Sequence, residues 1–262
     1  MRFNSIFVLY TLRIVQLIYC KMDIKTKDLI IKTFRIVGID LTRISFSKVK
    51  PFANYEPWKL DTEFLTLYRS LRGFTLVDIY RCYELWTLIN EVKQLDGDII
   101  EVGVWRGGTG TLIAKKASLL GLKSTVYLCD TFSGVVKAGD KDTDYTGGEH
   151  SDTSSDLVKK LLEKNGIKNT EVVTGIFPDD NRELFKNKKF RFCHIDVDVY
   201  QSAKDVFNYV FPGMPVGAMV VFDDYGFKAC YGVTKFVDEN RGLADRIVIH
   251  NLNGHAIIVK RS

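Results

Sequence analysis

From Gly97 onward, short apolar runs alternate with longer stretches whose apolar residues recur at helical spacing. GDIIEVGV, STVYLCD, NTEVVTG, FRFCHIDVD and VGAMVVFDD read as strands covered on both faces. Between them, TGTLIAKKASLLGL, DTSSDLVKKLLEKNG, DDNRELFKN, QSAKDVFNYVFPGM and CYGVTKFVDENRG read as helices. Ser154 or Ser155 is placed to cap the second helix, and Gly121 and Gly166 to stop the first two. DRIVIH and HAIIVKR close the chain as a hairpin through Asn251–Gly254. Repeated strand–helix units predict an α/β fold. Its sheet is seven-stranded and mostly parallel, with helices on both faces and one antiparallel edge strand.

Upstream the pattern changes. FLTLYRSLRGFTLVDIYRCYELWTLINEVKQL carries a helical stripe of Leu76, Ile79, Tyr80, Tyr83, Leu85, Trp86 and Ile89, stopped by Gly97. Arg81 lies beside the stripe and has two readings, a surface salt bridge or a place near a ligand. Residues 23–60 form a basic, weakly amphipathic arm punctuated by Pro51 and Pro57. The chain therefore divides into an N-terminal helical arm or cap, residues 1–74, and a larger domain, residues 75–262. Residues 1–21 are apolar, but Arg13 interrupts them and the run Ile6–Leu12 is too short to span a bilayer. They read as an over-extended start ahead of Met22 or as a packing helix; the alternative is a membrane contact by the arm. An arm rich in Phe, Leu and Tyr suggests a homodimer interface or a substrate cap.

Composition adds limits. A chain of 262 residues, 46% hydrophobic with five prolines, has room for one large domain plus an extension. The net charge of +5 is uneven: residues 1–60 carry 11 Lys/Arg against 4 Asp/Glu, the remainder 26 against 28. A near-neutral main domain argues against nucleic acid as the principal partner. Cys20, Cys82, Cys129, Cys193 and Cys230 are widely spaced with no C-x-x-C pair, and read as reduced thiols of a cytoplasmic protein.

The candidate chemistry sits where the strands end. EVGVWRGG, Glu101 to Gly108, follows the first strand in the pattern E-x-G-x-x-x-G-G, not the dinucleotide pattern G-x-G-x-x-G. Asp130 ends the second strand, placed to accept hydrogen bonds from two ribose hydroxyls. Glu101 is placed to orient the loop and a ligand's amino group. A ligand with a cationic end and a ribose but no pyrophosphate suits S-adenosylmethionine better than NAD. Asp196 and Asp198 leave the fourth strand and Asp223 and Asp224 the fifth, at neighbouring strand ends. Four desolvated carboxylates repel one another, and a hard divalent ion such as Mg²⁺ relieves that. The polar, glycine-containing segment of about residues 131–153 reads as a lid. His194 reads as a packed core histidine; His150, in the lid, reads equally as substrate-facing or as a plain loop residue.

EVGVWRGG, LCDTFSG, GIFPDD, HIDVDVY and FDDYGFKACYGVTKFVDE, in this order and spacing, resemble the macrocin O-methyltransferase (TylF/MycF) family over roughly residues 75–242. The resemblance implies a Rossmann-like class I methyltransferase fold and an S-adenosylmethionine- and Mg²⁺-dependent O-methyltransferase. Its acceptor would be a hydroxyl of a sugar or glycosylated metabolite, small or polysaccharide-linked. It implies metal ligands at Asp196, Asp223 and Asp224 and a general base at Asp198. Cofactor contacts would come from Glu101, Gly103, Val104, Trp105, Gly107 and Gly108, from Asp130, Thr131, Phe132 and Ser133, and from Gly175, Phe177 and Asp196. Asp179–Asp180 depart from the family's commoner threonine–leucine. Two alternatives are a glycosyltransferase using Asp196–Asp198 as a D-x-D motif and a non-catalytic binding protein on the same fold. A hydroxylase-like relative would need an iron site with histidine ligands, and only His194 lies close.

Overall fold

The computed structural model describes residues 55–262 and, within the arm, Asp23, Lys25, Thr26, Leu29, Ile30, Lys32 and Thr33. The expectations for residues 1–21, including Ile6–Leu12 and Cys20, lie outside the described residues. The chain forms two compact units, residues 1–56 and 57–262. No helix among the described residues is long and apolar enough to cross a membrane.

In the larger unit α1 (Thr62–Ser70) and α2 (Ile79–Glu91) precede β1 (Asp98–Val102), α3 (Gly108–Leu119) and β2 (Val126–Asp130). Next come α4 (Ser155–Lys164), β3 (Thr170–Thr174), α5 (Arg182–Phe185), β4 (Phe190–Ile195) and α6 (Tyr200–Val210). β5 (Met219–Phe222), α7 (Tyr231–Glu239), β6 (Arg246–His250) and β7 (Ala256–Lys260) complete the unit. The sheet has seven strands in the order β3-β2-β1-β4-β5-β7-β6. β1 to β5 pair in parallel, while β7 runs antiparallel to both β5 and β6. The antiparallel strand of the edge hairpin is thus one place in from the rim.

Burial follows position. β2 and β4, deep in the sheet, are almost wholly buried, and the rim strands β3 and β6 are the most exposed. Alternation along each strand splits the core in two. Ile100, Cys193, Val220 and Ile258 pack under α5, α6 and α7. Ile99, Phe192, Val221 and Ile257 pack under α2, α3 and α4.

Residues 57–74 belong to this unit, so its boundary lies near Pro57 and not at 74. Phe64, Leu67 and Leu71 pack with Trp86, Leu112 and Leu161 of α2, α3 and α4. Burying a side chain of this size contributes about 1.5–3 kcal/mol. Asp61 caps α1 through Phe64 N at 2.9 Å and also accepts from Trp86 Nε1 at 2.8 Å, which ties α1 to α2. The stripe through Leu76 breaks for a related reason. Asp78 caps α2, accepting from Tyr80 N and Arg81 N, so Leu76 falls outside the helix and is 68% exposed.

Candidate active site

The strand order reverses between β1 and β4, and ligands of open α/β sheets bind at that point. Backbone pairing runs one residue past the strand ends. Gly103 N bonds Cys129 O, Asp196 N bonds Val102 O, and Asp223 N bonds Ile195 O, at 2.9–3.0 Å. Gly103, Asp196 and Asp223 thus form a row along the carboxyl edge. The row needs glycine at its head: a Cβ on Gly103, at φ +90°, would stand 1.7 Å from Asp196 O.

Beside the row lies a cavity of about 240 Å³. The wall on the glycine-loop side comprises Gly103, Val104, Trp105, Asp130, Thr131, Gly175 and Phe177. Asp196, Asp198 and Asp224 also line it, as do Tyr145 and His150 from the lid. His150 therefore faces the cavity.

Several residues expected at the cofactor do not line this cavity. Gly107 precedes α3 as its N-cap, in the left-handed region at φ +87°, and the Gly108 amide donates to Phe74 O at 2.9 Å. Phe132 packs against the α2–α4 side of the core, and Ser133 N donates to Thr131 Oγ1. Glu101 is fully buried; it points away from the cavity and its Oε1 lies 2.8 Å from His194 Nδ1. Asp130 does line the cavity but is already engaged. Its Oδ2 accepts from Val104 N and Trp105 N at 2.7 and 2.8 Å, and its Oδ1 from Phe132 N at 2.6 Å. A carboxylate offers about four acceptor positions, so the expected pair of ribose contacts has one position left. Asp130's visible role is to hold the glycine loop.

The acids share an electrostatic problem. Burial, then the charges of Asp223 and Asp224, pushes Asp196 well above the usual carboxylate range. Burial, then Asp224, raises Asp198 to about 7. Asp224 is raised by burial and by Asp223. Asp198 and Asp224 also sit at φ +65° and +61°, sparsely populated for side-chain-bearing residues and tolerated best by Asp and Asn.

Asp223 differs. It is 2% exposed and does not line the cavity. Burial is outweighed by the imidazoles of His194 and His255 and by Arg81, which hold it well below the usual range. Arg81 is no surface residue. It is 7% exposed, its Nε bonds Asp78 Oδ2 at 2.9 Å, and its Nη1 bonds both Asp223 Oδ1 and, at 3.1 Å, Asp224 Oδ1. His194 is buried as expected, but Asp223 and Glu101 together overcome burial and raise it to about 10.

The lid is pinned at several points. Lys137 bridges Asp179 and Asp205 at 2.8 and 2.6 Å. Asp142 accepts from Tyr200 N at 2.9 Å, and Asp152 accepts from Trp105 Nε1 at 2.7 Å. Tyr145 lies beside Asp198, and its hydroxyl lowers that carboxyl against the effect of burial. The Asp179–Asp180 departure has local work as well: Asp180 Oδ2 accepts from Ile176 N at 2.8 Å, closing the turn beside Gly175.

Comparison with known proteins agrees with this geometry. The family model described as Macrocin-O-methyltransferase (TylF) matches residues 63–256. The chain belongs to that family. It is 26% identical over 164 residues to the mycinamicin III 3''-O-methyltransferase of Micromonospora griseorubida. That match spans 58% of this chain and 64% of the relative, a little under two thirds of its length. It is 27% identical over 187 residues to a tetracenomycin 4'-O-methyltransferase of Streptomyces olivaceus, spanning 66% of this chain and 70% of the relative. Among solved structures, the O-methyltransferase NovP superposes with a TM-score of 0.57 at 23% identity, covering 72% of this chain and 82% of NovP. A calicheamicin methyltransferase superposes with a TM-score of 0.61 at 16% identity, covering 79% and 95%. Both likenesses establish the class I O-methyltransferase fold.

Family membership asks whether the residues fit the groups it implies. Asp196, Asp223 and Asp224 each bring a carboxylate oxygen within 4.8 Å of the others. Hard oxygen donors with too little positive charge around them suit a magnesium-like ion. The glycine loop, passing close to β4 without a side chain at Gly103, keeps the cavity open beside those acids, which suits an adenosyl ligand. Arg81, Tyr145, Glu84 and His255 were not singled out as site residues from the sequence. Arg81 alone had a signal, a cation set on an otherwise apolar helix stripe.

Proposed function

We infer that this chain transfers a methyl group from S-adenosylmethionine to a hydroxyl of a sugar or glycosylated metabolite, assisted by Mg²⁺ at Asp196, Asp223 and Asp224. One observation carries the reading: Asp198, the carboxylate raised to about 7, shares one cavity with the glycine loop and with Asp196 and Asp224. When bound, the cofactor supplies an electrophilic methyl carbon and the ion supplies Lewis acidity beside the acceptor oxygen. Asp198 takes the hydroxyl proton on its carboxylate. The Tyr145 hydroxyl beside that carboxylate favours its charged form. Asp130 holds Val104 and Trp105 through their amides, so the loop meets the cofactor in one shape. The pinned lid excludes water while both reactants are held together, and orientation of this kind lowers barriers by up to several kcal/mol. Four described cysteines, Cys82, Cys129, Cys193 and Cys230, are free thiols, which supports a reducing, cytoplasmic setting.

The test is methyl transfer from labelled S-adenosylmethionine to a panel of nucleotide-linked and glycosidic sugars, with and without chelator. Product on at least one sugar is expected, lost in chelator and restored by Mg²⁺. Undiminished transfer in excess chelator would remove the metal from the reading. A melting temperature raised by a nucleotide sugar but not by S-adenosylhomocysteine would overturn methyl transfer.

A further inference from the structure

Beneath the cavity lies a constellation of which methyl transfer uses Asp223 alone. His194 is the last residue but one of β4 and His255 immediately precedes β7; both are fully buried. Each turns Nδ1 to a carboxylate, His194 to Glu101 at 2.8 Å and His255 to Glu84 at 2.6 Å. Glu84 is itself held by Asn251 and Asn253 from the hairpin turn. A carboxylate at Nδ1 fixes each ring and aims its Nε2 at Asp223, where a bound cation takes the place of the Nε2 proton. Both Nε2 atoms lie 3.7 Å from one atom, Asp223 Oδ2. All three atoms are buried without a hydrogen-bond partner.

Sheet register explains the convergence. Glu101 is in register with His194, and Asp223 and His255 extend the neighbouring strands β5 and β7 by one residue. Side chains two residues apart on adjacent strands share a face, here the face under α2, which contributes Glu84 and Arg81.

Distance and charge then narrow the occupant. A separation of 3.7 Å exceeds the range of about 2.7–3.2 Å for a nitrogen–oxygen hydrogen bond. Donors about 2.0–2.1 Å from a tetrahedral ion stand about 3.4 Å apart, closer to what is observed. Glu84, Glu101 and Asp223 bring three negative charges and Arg81 one positive charge. Neutrality needs two more positive charges, from one divalent ion or from two protons. Two imidazoles and one carboxylate suit zinc-like transition ions, whereas magnesium prefers oxygen donors throughout.

We propose that His194, His255 and Asp223 bind one divalent transition-metal ion, of the zinc class, separate from the carboxylate site in the cavity. Asp223 serves both: Oδ2 faces the imidazoles, and Oδ1 faces Arg81 on the cavity side. The ion clamps the C-terminal hairpin to β4 and fixes the Asp223 carboxylate.

The test uses the full chain, stripped with chelator and returned to millimolar Mg²⁺ so that hard oxygen sites are filled. Titrated with Co²⁺, the wild-type chain should take up one equivalent and show the intense visible bands of a four-coordinate ion, which Zn²⁺ displaces. His255→Gln should weaken this binding about 100-fold or more, and Asp224→Asn should leave the bands in place. If His255→Gln does not fold, Glu84→Gln, which spares the donors, should weaken binding about 10–100-fold. No bands in the wild type, or unchanged affinity in either variant, overturns the proposal. Metal uptake is read without substrate, so its failure and that of the methyl-transfer reading are told apart.

Discussion

Asp223 and Asp224 are adjacent in sequence and opposite in environment. Asp224 joins Asp196 and Asp198 on the cavity wall, where burial and mutual repulsion raise all three. Asp223 joins Glu84, Glu101, His194, His255 and Arg81 in the layer below, where it lies well below the usual range. The upper layer has surplus negative charge and few cations. In the lower layer acids alternate with bases: Asp223 faces Arg81 and both imidazoles, and Glu101 and Glu84 each face one imidazole. The contrast separates two tasks: unbalanced acids attract a cation and a proton, and the layer below holds them in place.

The comparison breaks first at Asp198. Asp198→Asn keeps the shape and removes the proton acceptor, so methyl transfer should fall about 10²–10⁴-fold. Affinity for S-adenosylhomocysteine, measured by calorimetry, should stay the same, and stability should not fall, because a repelled charge is gone. A loss in rate of less than about tenfold would move the base elsewhere. Next comes Arg81→Met, which strands Asp223 in the lower layer without its permanent cation. Urea unfolding should show a loss of about 3–5 kcal/mol. A loss within about 0.5 kcal/mol would mean that the histidines alone balance the layer. Third is Asp130→Asn, which exchanges one oxygen that accepts backbone hydrogen bonds for an NH₂ group. Loosening the glycine loop should weaken S-adenosylhomocysteine binding by about 1–3 kcal/mol in calorimetry. Co²⁺ uptake in the layer below should be unaffected.

The upper layer was legible in the sequence because its parts are local. HIDVD and FDD put acids at the ends of apolar runs, and the sheet order that joins those ends follows from strand–helix alternation. The lower layer was not. Arg81 and Glu84 come from a helix 142 residues before Asp223 in the case of Arg81, and His255 comes from a closing hairpin; only strand register unites them. Side-chain direction was hidden as well. Glu101 and Asp130 were both read toward the cofactor, yet one points into the core and the other, on the cavity wall, gives three acceptor positions to backbone amides. The boundary near Pro57 was missed because α1 carries a short apolar face, which shows as domain structure only once α2–α4 receive it.

The smallest expected effect lies where the lid meets the upper layer. The Tyr145 hydroxyl lies beside Asp198, which it lowers, and stands 3.4 Å from His150 Nε2. Burial, then the Asp198 charge, raises its hydroxyl far above the ordinary range, so it remains a donor at every working pH. A neutral donor stabilises the charged form of the carboxylate it faces. Tyr145→Phe removes that donor and leaves the ring, so it should weaken stability by about 0.5–1.5 kcal/mol in urea unfolding. The rate of methyl transfer should fall several-fold, because Asp198 loses both its orientation and part of its charge stabilisation, while KM for the cofactor should hold. A fall as large as that of Asp198→Asn would instead make Tyr145 a partner in the proton transfer. No change at all would mean that the lid covers the cavity without touching its chemistry.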